Sequence, residues 1–273
     1  MGRALCAAKY RLTCGRCFTL IMMNEKDMLV NNFAIRSFRD TADGDYIAAR
    51  LAFRAGLAQN FLWASLQAVE KYLKCILVIN RIKAPKSHDL EQIFNAFNEN
   101  NKFNLHLTEN TRKFLEFLDT YGRHRYYETS YYIMGNELIA LDRAIWQIRQ
   151  YARVMDYQIH DLHGQKVEML PHEIAANENA KKHPPHKFNI IGGRLENIIA
   201  KHNHPSREPL LWQNAFFGRK SRRVITLPGR GESGNSPIYL NPTILDEVLK
   251  YVFLPKDVKD HYRDMVNSGI LQN

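Results

Sequence analysis

Apolar residues recur at helical spacing through most of the first 160 positions. The longest run, Phe61 to Ile82, sets Leu62, Leu66, Val69, Leu73 and Ile76 on one stripe and predicts a buried helix ending near Asn80. Before it, Ile47, Leu51, Ala55 and Ala58 share a face of a helix started by Asp40 or Asp43. Gly56 predicts a bend or break near 56–60. Pro85 makes Lys83 to Ser87 a turn. Ser87 or Asp89 then starts a helix from Leu90 to about Glu99, with Ile93, Phe94 and Phe97 on its inner face. Thr108 heads a fourth helix, with Phe114, Leu115 and Leu118 as core, that gives way near Gly122. Leu138, Leu141, Ile145, Ile148 and Ala152 predict a fifth, from about Glu137 to Tyr157. Nothing alternates with period two, so the expected fold class is all-α, a four- or five-helix bundle.

After His160 the pattern loses its period. Pro171, Pro184 and Pro185 lie in a polar stretch with His163, His172, His183, His186, His202 and His204, and only a short helix, about Arg194 to Lys201, is expected there. Leu210 to Gly218 is apolar enough to need burial. Two helices close the chain, Pro242 to about Phe253 and Lys256 to about Val266. The expected organisation is an N-terminal extension (1–37), a helical bundle (38–160), and a largely irregular C-terminal appendage of unassigned role (161–273). Residues 1–21 read as a mis-called start, with Met22 or Met23 as the true one.

Hydrophobic residues make up 45% of the chain, enough for a packed core, and the 24% that are charged do not signal disorder. The net charge of +10 directs attention to anionic partners. Cysteines are too few for a disulfide scaffold, which suggests a cytoplasmic protein. No run approaches the ~20 apolar residues of a membrane span. Cys14 and Cys17 form a lone CxxC, and the His-rich tract has no tight ligand spacing, so neither metal nor cofactor is expected. Gly229 to Gly234 lacks the preceding strand and the Lys-Ser/Thr ending of a phosphate loop and reads as a flexible loop.

Three words in the bundle carry more than periodicity. They are Gln67-Ala68-Val69-Glu70-Lys71-Tyr72-Leu73-Lys74, the turn Ser87-His88-Asp89-Leu90, and Arg125-Tyr126-Tyr127 before the last long helix. Together they resemble the HEPN domain family, small all-helical bundles, over about residues 38–158. The resemblance implies a HEPN-like bundle that binds nucleotide or RNA. It also implies a homodimer or a nucleotidyltransferase-type protein partner, so a rival reading is a dimerisation or partner-binding module without catalysis. Many members are metal-independent endoribonucleases of toxin or defence type, with an Arg, four to six further residues and a His near the last long helix. Here Arg123-His124-Arg125-Tyr126-Tyr127-Glu128 stands at that place and no His follows at that distance, which resembles the non-nuclease branch.

The expected ligand site is a basic, Tyr-rich cleft. Arg123 and Arg125 supply forked phosphate donors, and Tyr126 and Tyr127 supply stacking faces. His88 with Arg81 repeats an Arg–His spacing across the family's turn, although composition alone supplies such pairs. The alternative role of His88 is to hydrogen-bond and orient that turn. Lys71 and Lys74 either extend the cleft or form a solvated face. Were the chain a nuclease, Arg125 would act with His88 or His124.

Overall fold

Helix α3 (Ala58–Ile79) is the axis of the molecule, and its predicted stripe is buried throughout: Leu66, Val69, Leu73 and Ile76 are fully excluded from solvent and Leu62 all but so. The computed structural model describes residues 19–20, 25–100, 104–124, 128–161, 163–218, 220, 222, 224–227 and 231–268. Around α3 pack α1 (Glu25–Ala34), the π-helical turn Ile35–Arg39, α2 (Asp40–Arg54), α4 (Leu90–Asn100), α5 (Glu109–Tyr121) and α6 (Glu137–Arg149). The break between α2 and α3 falls at Gly56, whose φ of +69° is a left-handed conformation that glycine adopts without a Cβ penalty. The molecule is mostly helical, in keeping with the expected bundle.

Several boundaries differ from the pattern. Helix α6 stops at Arg149 rather than near Tyr157. Tyr151 and Ala152 donate backbone N–H groups to the carbonyls three residues back, so the chain turns, yet both side chains stay fully buried. The apolar period reported burial, and a turn satisfies it as well as a helix. Short strands also occur. β1 (Thr19–Leu20), β3 (Gln158–His160) and β4 (Lys166–Glu168) form one antiparallel sheet, while β2 (Tyr131–Ile133) pairs with β5 (Glu232–Gly234). Two or three residues are too few to show an alternation.

Beyond residue 160, α7 (Leu170–Ala180) replaces an expected irregular stretch. Its Pro171 sits in the first helical turn, where a missing N–H costs nothing. The predicted short helix is α8 (Arg194–Ala200), followed by α9 (Arg207–Leu211). Pro242 opens only a 3-10 turn, continued by α11 (Leu245–Val248) after α10 (Pro237–Leu240), and Tyr251 and Phe253 are exposed. The last helix, α12 (Lys256–Asn267), lies where the sequence put it.

The C-terminal third is bonded into the bundle at two buried arginines. Arg50 pairs with Asp142, which also accepts a 2.6 Å hydrogen bond from the Tyr46 hydroxyl, and donates to the carbonyls of Pro209 (3.0 Å) and Trp212. Arg149 pairs with Asp43 (2.8 and 3.1 Å) and with Glu196 (2.7 and 2.8 Å). Burying charge is favourable only when it is paired and hydrogen-bonded, and both arginines are. Leu195, Ile198, Leu210 and Phe217 then join the bundle core. A second, smaller core forms from Ile238, Leu245, Leu254, Val258, Tyr262 and Met265.

Candidate functional site

The segment after α5 is seated by Gly122. A Cβ there would stand 2.6 Å from the Leu118 carbonyl oxygen and 2.9 Å from the Leu66 Cβ on α3, so only glycine lets the backbone approach this closely. Arg123 follows, and two carboxylates hold it. Its Nε donates to Asp119 Oδ1 at 3.1 Å, and its Nη2 lies against Asp119 and 3.4 Å from Asp89. Burial would lower the Arg123 pKa, but the bond to Asp119 and the charges of Asp119 and Asp89 outweigh it and raise it. Both acids are also helix-capping groups. Asp89 accepts the N–H groups of Glu91 (2.9 Å) and Gln92 (3.2 Å), and Asp119 accepts that of Leu90 at 3.1 Å. The start of α4 and the placement of Arg123 therefore depend on the same two carboxylates.

His124 is half-buried, and burial pushes its pKa below the ordinary histidine value. Glu128 and Asp257 oppose that shift, and Arg123 adds to it. Arg123 and His124 border a cleft of about 1410 Å³ between α4, α5 and α12. Phe94, Phe97 and Leu115 give it an apolar side; Tyr121, Tyr239 and Tyr262 add aromatic surface. Among the described residues its charge is mixed rather than basic: Arg112, Arg123 and Lys181 border it together with Glu91, Glu116, Asp119 and Asp257. His106 and His261 complete a set of three histidines with His124.

Other expected site residues lie elsewhere. His88 is exposed, and its Nδ1 is 2.9 Å from buried Glu70, which also binds Lys74 Nζ at 2.7 Å; that Nζ in turn donates to the Ser87 carbonyl at 3.0 Å. This cluster orients the turn before α4. Lys71 pairs with Asp45 on α2 at 2.5 Å. Arg81, with a left-handed φ of 61°, ties α3 to α1 through Asp27 at 2.8 Å and Asn31 at 2.8 Å. None of these four borders the cleft. Arg125, Tyr126 and Tyr127 lie outside the described residues, as do Cys6, Cys14 and Cys17. Cys75 is buried, which pushes its thiol pKa up to about 12, so it packs as a small apolar group.

The sequence did not point to Asp257, His261 and Tyr262 as cleft residues. They share α12 at helical spacing, but nothing in that helix tells where it docks. It docks beside His124. The Tyr262 hydroxyl donates a 2.6 Å hydrogen bond to the Glu128 carbonyl, and the Ser236 N–H donates to Ser130 Oγ at 3.0 Å. The β2–β5 pairing continues the same seam.

Residues 35–152 match the family model of the HEPN domain. This segment is a HEPN domain. No curated protein and no solved structure matches the chain. The matched HEPN domain contains α2 to α6 and the Arg123–His124 pair, whereas α12 lies outside it. Among the described residues no helix is long and apolar enough to cross a membrane, and no group of three or more His, Cys, Asp or Glu is placed to hold a metal ion.

Proposed function

We propose that the HEPN domain binds a nucleotide or a single strand of RNA in the cleft between α4, α5 and α12. The observation that carries this reading is the Arg123–His124 pair on the cleft border. Asp119 and Asp89 hold Arg123 through Nε and Nη2, while Nη1 takes no part in those pairs among the described residues. A pre-held guanidinium with a spare edge suits a phosphate oxygen, because little side-chain freedom is left to lose on binding. The aromatic surface of the cleft suits base stacking, worth ~1–3 kcal/mol per base. The cleft exceeds the ~300–1,000 Å³ of ordinary small-ligand sites, so there is room for more than one nucleotide.

A labelled ten-nucleotide RNA, titrated with the full chain at two salt concentrations, tests this reading. Retention that weakens with salt, and weakens several-fold in Arg112→Ala and His124→Ala, is the expected result. Folded protein that retains neither RNA nor nucleotide would rule the reading out.

A second reading, endoribonuclease activity, is favoured by the state of His124. A histidine whose pKa burial lowers, beside an arginine, has the means to accept a proton from a ribose 2′-hydroxyl while the arginine stabilises charge on phosphorus. This role needs no histidine further along the chain from Arg123.

A further inference from the structure

A proton acceptor alone does not cleave a phosphodiester quickly, because the leaving 5′-oxygen must gain a proton as the bond breaks. Within the HEPN domain the cleft offers His106 and His124, but His106 stands before α5, away from the Arg123 segment in the chain. The third cleft histidine, His261, comes from α12, outside the matched family residues. The geometry points to His261 as the second proton-carrying catalytic residue of this site, working opposite His124 on an RNA phosphodiester. The inference rests on the proposed binding of RNA in the cleft.

Three observations support it. First, α12 is fixed against the segment that follows His124, through the 2.6 Å bond from Tyr262 to the Glu128 carbonyl. Second, α12 buries Val258, Tyr262 and Met265, which leaves His261 exposed on the cleft border; its ring stands edge-on to Tyr262 with centroids 5.3 Å apart. Third, Asp257 is one helical turn before His261 and so on the same side of α12. The Asp257 charge reaches both Arg123 and His124, which places this side of α12 near the pair.

The step balances without a further reactant. Neutral His124 takes the 2′-hydroxyl proton as the 2′-oxygen bonds to phosphorus. The bond from phosphorus to the 5′-oxygen breaks, and protonated His261 gives its proton to that oxygen. The products are a 2′,3′-cyclic phosphate and a 5′-hydroxyl. Solvent then returns a proton to His261 and removes one from His124. The charged groups facing His124 are Arg123, Glu128 and Asp257, so its protonation, and with it the acid limb of the rate, follows all three.

The test uses the full chain with an all-ribose oligonucleotide for cleavage and an all-deoxy one of the same sequence for binding. The expected result is a cyclic-phosphate product whose rate falls ~10²–10⁴-fold in His261→Ala, the usual contribution of one proton-transfer group. Retention of the deoxy strand and the melting temperature should stay as in the parent, and added imidazole should restore part of the rate. His261→Gln should be as slow as His261→Ala. Retention of both strands without any cleavage by the parent would overturn the inference and leave the binding reading standing. Equal rates in parent and His261→Ala would overturn it too, as would equal losses of rate and binding. A parent that retains neither strand would remove the binding reading itself.

Discussion

The hydroxyl of Tyr262 donates a 2.6 Å hydrogen bond to the backbone carbonyl of Glu128, 134 positions back along the chain. Tyr262 is all but fully buried and Glu128 nearly so. Tyr262→Phe should cost about 1 kcal/mol, the net contribution of a typical intramolecular hydrogen bond. Denaturant unfolding measures it. The same variant should weaken RNA retention, because the cleft border formed by α12 loses its anchor.

Asp142→Ala should be the more damaging change. It leaves Arg50, which is fully buried, without its carboxylate, beside the Pro209 and Trp212 carbonyls and the Tyr46 ring. Breaking one side of a buried pair costs about 3–5 kcal/mol, whereas replacing both charges by apolar groups costs far less. The double variant Arg50→Met, Asp142→Leu should therefore unfold at higher denaturant than Asp142→Ala alone. Equal midpoints would show that the Arg50 charge is not what the loss exposes.

Acid stability should report on Glu196. Burial acts to raise its pKa, but Arg149, with help from the Ile190 N–H, holds it below the ordinary value of 4.5. A carboxylate bound more tightly to its charge in the folded state contributes stability in full above its unfolded value. That contribution is lost as pH falls through the lower, folded value. The stability gap between the parent and Glu196→Gln should be widest at neutral pH and should narrow below about pH 4.5, read by urea midpoints across that range.

RNA affinity should rise as pH falls from 8 toward 5.5. The free-state pKa of His124 is lowered, first by burial and then by Arg123, against Glu128 and Asp257. A phosphate favours the protonated ring, so binding draws in a proton and tightens on the acid side. His124→Ala should flatten this slope.

Gly122→Ala tests the seat of the segment. Its Cβ meets backbone on one side and the Leu66 side-chain stem on the other, neither of which can swing away. Overpacking of this kind typically costs about 1–3 kcal/mol, and the displaced Arg123 should lose RNA retention beyond what the lower melting temperature explains.

The helices from α2 to α5 were legible because their residues face a single core and their ends carry chain-stop chemistry, Gly56 and Asp89 among them. The HEPN character was legible from the residues between Gln67 and Leu90. The structure shows why those words matter locally: Glu70, Lys74 and His88 bond to one another and set the turn. The cleft was only half legible. Arg123 and His124 border it, but Lys71, Lys74, Arg81 and His88 are engaged in contacts that position helices, and a sequence does not show whether a cation's partner is internal. His261 and Asp257 could not be placed because docking of α12 depends on pairings between residues 100 or more positions apart, such as Tyr131 with Gly234. Local spacing carries no information about those pairings.

That same arrangement sets an order in time. A nascent chain emerges from its N-terminus, so the HEPN domain and the residues that pair with Arg50 and Arg149 are made while α12 is still unmade. The wall bearing Asp257 and His261 arrives only after about another hundred residues have been translated. Until then the cleft has an open side. A ribosome that stalls before α12 leaves the cleft without the side that carries Asp257 and His261.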